Sequence, residues 1–352
     1  MENIYVLCAD GHSEQLANMI GAVTASSKRI YVHDVKRAGE LAGKRLLFAA
    51  ETNEIGVDMN LLQLLLDIRA ANPRAFEGAV GAVIVHSKNE LYTKSCATHL
   101  VFVANQLGCA FIGHPLAEAV GGLKNFSTWK KVYKDSTLSE ICMMQCEKLG
   151  HRLMEYKPAK SEAPKITVLH SSSRKTSNTL MLWNMVEENL VSLGCSVRQI
   201  HVENENLTDC RGCSFKLCMH YGEQKSCFYG GLVVQEVFPA VEECDALVLL
   251  CPNYNDSIAA NLMAVINRLT ALYRQMSFYD KALFGVVVSG NSGNDTVARQ
   301  LLGALNINKG FRLPPEFALM EIANDPGSIK RVQDIRERAR IFAERIVAET
   351  RK

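Results

Sequence analysis

Ile166-Thr167-Val168-Leu169-His170-Ser171-Ser172-Ser173-Arg174-Lys175-Thr176-Ser177-Asn178-Thr179 decides how the chain is read. A short apolar run, the pattern of a buried strand, opens directly into hydroxyl side chains, one arginine and a helix start. In such a turn hydroxyls and backbone N–H groups converge on one anion, and the following helix adds unpaired amides and the positive end of its dipole. The stretch has neither the glycines nor the Gly-Lys-Ser/Thr ending of a nucleoside triphosphate loop. A phosphate held without magnesium, such as that of flavin mononucleotide (FMN), therefore fits it better than ATP. The same string also reads as a Ser-rich turn with a good helix cap, so the rest of the chain has to decide.

Outward from this point, strands and helices alternate. Strand Ile166 to His170, helix Asn178 to Leu193 and strand Val197 to Val202 precede a cysteine-rich loop. Helix Val233 to Glu243, strand Ala246 to Cys251, helix Ile258 to Tyr273, strand Leu283 to Ser289 and helix Asp295 to Asn306 follow. A segment from Phe311 to Ile322 and a terminal helix, Ile329 to Glu349, complete the pattern, the helix with an apolar stripe Val332, Ile335, Ala339, Phe342 and Ile346. Continuously apolar strands alternating with helices predict a parallel sheet covered on both faces, and right-handed crossovers make it doubly wound.

The first half repeats the pattern less sharply. Strands are expected at Ile4 to Cys8, Arg29 to Val32, Arg45 to Ala50, Ala79 to His86 and, briefly, Cys109 to Gly113. Helices are expected at Glu14 to Val23, Met59 to Ala70 and Tyr92 to Leu107. The turn after its first strand, Ala9-Asp10-Gly11-His12-Ser13-Glu14, sets carboxylates where a phosphate would sit and offers no arginine. His114 before Pro115 reads as a turn residue. The polar stretch from Tyr156 to Lys165, with two prolines, reads as a linker. Two α/β domains in tandem are expected, 1–160 without a phosphate loop and 161–352 with one.

Composition narrows the function. The chain has 352 residues, a net charge of +2 and 48% hydrophobic residues, enough for two ordinary cores. Without a basic footprint no nucleic-acid partner is expected, and without a long apolar run neither is a membrane span. Met1-Glu2-Asn3 precedes an apolar run too short for a signal peptide, and the twelve cysteines read as reduced thiols, so a cytoplasmic location is expected.

Two further loops join the phosphate-type turn at strand ends of the second half: Pro252-Asn253-Tyr254-Asn255-Asp256-Ser257 and Ser289-Gly290-Asn291-Ser292-Gly293-Asn294. In an open parallel sheet such ends share the edge where ligands bind. With these loops, residues 165–325 resemble the flavodoxin-like NAD(P)H-dependent FMN reductases. In that family a Ser-x-Arg-x-x-Ser/Gly-Asn-Thr loop holds the FMN phosphate and a Pro-x-Tyr-x-x-Ser loop lies along the isoalloxazine. Ser171, Ser173, Arg174, Ser177, Asn178 and Thr179 match the first, and Pro252, Tyr254 and Ser257 the second. The resemblance implies two flavodoxin-like domains, the first degenerate, with FMN as cofactor and NAD(P)H as co-substrate. It also implies a small-molecule electron acceptor such as a quinone or flavin. Asn253, Asn255 and Asp256 would turn backbone amides toward the flavin, and Ser289, Gly290 and Asn291 would complete the site. A homodimer is common in such reductases, and the fused first copy is expected to take the covering place of a second subunit.

Cys210, Cys213, Cys218 and Cys227 fall within one loop. Thiolates at that density suit iron–sulfur or zinc binding, and the resemblance extends to iron–sulfur flavoproteins with cysteines at this location. The spacing here, two, four and eight intervening residues, is wider than their compact run. The alternatives are a 4Fe–4S cluster on the four cysteines, zinc, or a metal-free substrate-side loop; His220 could replace a ligand but reads first as an exposed loop histidine. The competing functional class is a non-enzymatic flavin or metal electron carrier or redox sensor.

Overall fold

Val, Ile and Leu dominate the strands of this computed structural model, which describes residues 3–172, 176–203 and 207–352. The chain divides into two units, Met1–Lys157 and Pro158–Lys352. The first contains β1 (Asn3–Cys8), α1 (Glu14–Val23), β2 (Lys28–Val32), β3 (Arg45–Thr52), α2 (Met59–Ala71), β4 (Val80–Ser87), α3 (Thr93–Gln106), β5 (Ala110–Ala119) and α4 (Leu138–Glu155). The second begins with β6 (Lys165–His170), α5 (Asn178–Ser192), β7 (Ser196–His201), α6 (Phe215–Glu223), α7 (Phe238–Glu243) and β8 (Ala246–Pro252). It continues with α8 (Ala260–Tyr273), β9 (Ala282–Ser289), α9 (Asn294–Leu301), β10 (Ala318–Ile322) and α10 (Ile335–Thr350).

Both sheets are parallel and share one strand order, β2-β1-β3-β4-β5 and β7-β6-β8-β9-β10. This is the flavodoxin-like order, which reverses direction beside the first strand and opens a crevice there. The central strands are buried on both faces, as with Leu46 to Ala50 and Ala246 to Cys251. One face of the first sheet is covered by Leu16, Met19 and Ile20 of α1 and by Cys146, Leu149 and Leu153 of α4. The matching face of the second is covered by Leu182, Trp183 and Val186 of α5 and by Ala339, Phe342 and Ile346 of α10.

Five expectations are corrected. No element was expected between 127 and 156, where α4 lies. Its start is a capping box, Thr137 accepting from Glu140 N–H and Glu140 from Thr137 N–H. α4 packs so closely on α1 that a Cβ at Gly150 would stand 2.0 Å from the Val23 carbonyl oxygen. β5 is longer than the short strand Cys109 to Gly113. Its pairing with β4 slips between Phe111 and Leu116, where His114 turns to φ 50° before Pro115. The proline is tolerated because β5 is an edge strand. The terminal helix starts at Ile335 and not at Ile329: Ser328–Arg331 is a separate 3-10 turn, and Asp334 at φ 54° breaks the continuity. The cysteine-rich loop contains a helix, α6, capped by Ser214. The stretch read as a linker is anchored in its second part, with Ser161 N–H bonded to Thr350 O at 2.8 Å and Lys352 N–H to Ser161 O at 3.1 Å. The loop after β6 is described up to Ser172 and from Thr176 onward, which leaves the residues that matter most for an anion at the helix start.

Candidate functional site

The loops after β6, β8, β9 and β10 meet around a cavity of about 630 Å³, within the range of small-molecule and cofactor sites. Ser171, Ser177, Asn178, Thr179, Pro252, Asn253, Tyr254 and Gly290 line it, together with Ser172, Thr176, Val288, Ala323, Asn324 and Pro326. Ser173 and Arg174 lie outside the described residues. Asn255 borders a second cavity of about 320 Å³ that shares Ser171 and Tyr254 with the first. Asp256, Ser257, Ser289 and Asn291 line neither cavity.

At the phosphate-type turn, Ser177 caps α5 by accepting from Leu180 N–H at 3.4 Å, and its hydroxyl lies 3.1 Å from that of Ser172. Asn178 is less available than expected. Its side-chain amide donates to Ala323 O and Asp325 O, both at 2.9 Å, and its Oδ1 accepts from Ile329 N–H at 3.2 Å. It therefore ties the start of α5 to the loop after β10. Beneath the turn, His170 stacks on His201 with ring centroids 4.8 Å apart. Burial, and then the neighbouring His201, hold His170 below its ordinary pKa, so its ring adds no fixed positive charge.

The loop after β8 is a tight reversal. Tyr254 pairs with Ser257 across Asn255 and Asp256, which have φ 56° and 52°. Two successive left-handed residues are the mark of a type I′ turn, and Asn and Asp suit it. The reversal leaves the Tyr254 ring 62% exposed beside the cavity, free to lie against a flat ligand. Asn253 N–H continues the sheet ladder to Val288 O at 2.9 Å, so it is not turned to a ligand as expected. The Asn253 side-chain amide buckles this loop to the next, donating to Asp256 Oδ1, Ser289 Oγ and Ser292 O, and its Oδ1 is buried without a partner. Gly293, at φ 85°, closes the corner; a Cβ there would stand 1.9 Å from Asp256 Oδ1. The wall from the loop after β10 was missed in the sequence, although Asn324-Asp325-Pro326-Gly327 after an apolar strand is a turn signal of the same kind as the others.

This donor-rich cavity, without a carboxylate among the described residues that line it, fits a flavin phosphate and ring. The 4Fe–4S set does not fit in the same way. Cys210, Cys213, Cys218 and Cys227 border a common cavity of about 220 Å³. Yet among the described residues no three Cys, His, Asp or Glu side chains are arranged to hold a metal ion. Instead, Cys213 Sγ faces Tyr229 Oη at 3.7 Å and Cys218 Sγ accepts from Arg274 Nε at 3.3 Å. The cysteines are partly spread along α6 and its flanks, which the wide spacing had left open. No described helix is long and apolar enough to cross a membrane.

No curated protein matches the chain. Among solved structures, the chain is similar to the NAD(P)H:quinone oxidoreductase from Methanothermobacter marburgensis, 15% identical over 52% of this chain and 99% of that one, with a TM-score of 0.41. It is also similar to an FMN-dependent NADH-azoreductase from Bacillus anthracis in complex with FMN, 12% identical over 52% and 99% of the two chains, TM-score 0.36. A Streptococcus pneumonia TIGR4 flavodoxin is 13% identical over 53% and 100%, TM-score 0.34. Residues 164–324 match the family NADPH-dependent FMN reductase. The chain thus contains an NADPH-dependent FMN reductase domain at residues 164–324, which indicates an oxidoreductase.

Proposed function

We propose that the second unit uses FMN, held in the 630 Å³ cavity, to pass electrons from NAD(P)H to a small-molecule acceptor such as a quinone or a free flavin. What supports this reading is the convergence of four strand-end loops on one cavity rich in hydroxyls and amides, with the exposed Tyr254 at its side. FMN, when bound, supplies the hydride-accepting centre and returns electrons from the same ring. The protein's part is positioning. Ser171, Ser172, Thr176 and Ser177 offer hydroxyls at the start of α5, where the helix amides and dipole favour the phosphate. Tyr254 and the reversal after β8 fix the plane in which the ring and a second flat substrate lie together. A hydride transfer asks for no general acid or base, and among the described residues that line the cavity there is no Asp, Glu, His or Lys. The acceptor is a small molecule, with neither nucleic acid nor membrane as partner.

The test is an absorption spectrum of the purified full chain followed by steady-state NAD(P)H oxidation with and without added quinone or flavin. Flavin peaks and acceptor-dependent turnover are expected. A colourless protein that takes up no added FMN would end the reading; bound flavin without turnover would favour the carrier or sensor.

A further inference from the structure

Of the twelve cysteines, eight are buried, and only Cys210, Cys213, Cys218 and Cys227 have access to solvent. Burial pushes the thiols of Cys244 and Cys251 up to about 12 and leaves them inert. All four accessible thiols border one cavity of about 220 Å³, set against the second half of α8 and away from the loops of the flavin cavity. The other feature of this cavity is guanidinium. Arg268 is 2% exposed, its terminal nitrogens are fixed by Thr208 O and Gly230 O, and its Nε is buried without a partner. Arg274 donates to Cys218 Sγ at 3.3 Å and lies over the Phe215 ring. Asp209 is engaged by Asn267 Nδ2 at 3.1 Å. Burial, and then Arg274, hold the nearby Lys309 ammonium below its ordinary value. Between Cys210 and Cys213, Gly212 at φ 69° reverses the chain in a Cys-x-x-Cys spacing, the spacing of dithiol redox pairs.

We propose that this cavity is a thiol–disulfide exchange site for a small disulfide that carries carboxylate groups. Arg274 pairs with the carboxylate, the buried Arg268 adds positive charge behind it, and the exposed Cys210 is the attacking thiol. Its thiolate attacks one sulfur of the ligand; the ligand S–S bond breaks, a mixed disulfide forms on Cys210, and the first small thiolate leaves and takes up a proton. Cys213, deprotonated in turn, attacks the Cys210 sulfur, closing a Cys210–Cys213 disulfide and releasing the second small thiol. One ligand disulfide is reduced to two thiols and two protein thiols are oxidised to one disulfide, with no further oxidant or reductant. Excess small thiol reverses the sequence. The exchange is independent of FMN.

The experiment uses the full chain without NAD(P)H. Glutathione disulfide, anionic, is compared with hydroxyethyl disulfide, neutral, and cystamine, cationic, by thiol counting and peptide mass spectrometry. Glutathione disulfide is expected to react at least tenfold faster than cystamine and to give the Cys210–Cys213 bond. In Cys213→Ser the reaction is expected to stop at one glutathione on residue 210. Arg274→Gln is expected to slow glutathione disulfide by a larger factor than hydroxyethyl disulfide. Equal rates for the three disulfides, reaction spread over the buried cysteines, or stoichiometric iron or zinc that shields the four thiols would each overturn the proposal.

Discussion

At the ends of β6, β8 and β9 the second sheet presents Ser172, Pro252 and Val288, whereas the positions that match them by register at the ends of β1, β3 and β4 in the first sheet are Asp10, Glu51 and His86. The strand order is the same and the crevice falls at the same place, but the chemistry differs. Ser177 caps α5 and its hydroxyl remains at the cavity wall. Its counterpart Ser13 caps α1 and is consumed, donating to Glu51 Oε2 at 2.6 Å, while His86 Nδ1 lies 2.9 Å from Glu51 Oε1. A carboxylate with a full set of internal donors occupies the place where a phosphate would need those donors, and its charge repels a second anion. The fold therefore sets where a ligand can bind; the residues at the strand ends set whether one does.

The sharpest test of this difference is stoichiometry. One FMN per chain is expected from equilibrium dialysis of apoprotein, and two per chain would break the comparison outright. Next in size is Gly293→Val. A β-branched residue in the left-handed region costs about 1 to 2 kcal/mol, and the crowding against Asp256 about 1 to 3 more. Loss of bound FMN and a lower denaturant midpoint for the second unit are expected; full FMN content in the folded variant would remove this corner from the site. Arg174→Ala is expected to weaken FMN binding by about 1 to 3 kcal/mol, the scale of a charge-assisted hydrogen bond. Unchanged affinity by fluorescence titration would show that the serines and helix amides suffice.

The smallest effect belongs to the first sheet. Burial alone would raise the pKa of Glu51, but the Ser13 donors and His86 outweigh it and hold the carboxyl below its ordinary 4.5. A carboxylate lowered in the folded state contributes stability above pH 4.5 that is lost as pH falls through the folded value. Ser13→Ala is expected to cost about 1 to 2 kcal/mol near pH 7 through the lost cap and the lost bond to Glu51, of which only the second depends on pH. The gap from the parent protein should narrow as thermal unfolding is followed below pH 4.5, with FMN content unchanged. A gap constant with pH would mean that the hydroxyl does not act on Glu51.

The sequence by itself determined the alternating elements, the tandem division and the strand-end loops of the second half that line the cavity, because apolar strands ending in Ser, Asn and Gly turns are local signals. Asn255 and Asp256 are an example: their preference for left-handed backbone is enough to suggest the reversal after β8. Helix α4 was also legible, through the Thr137–Glu140 box and the apolar positions Ile141, Cys142, Cys146, Leu149 and Leu153, but its polar flanks hid it. Tertiary structure alone decided the rest, since long-range partners carry no local mark. Asn178 looks like a phosphate ligand until Ala323 and Asp325 claim its amide across 145 and 147 residues. Ser13 looks like a spare cap until Glu51 takes its hydroxyl. The four cysteines look like a cluster site until α6 spaces them around two arginines. In each case a donor or thiol has a fixed capacity, and the fold determines which acceptor or neighbour reaches it first.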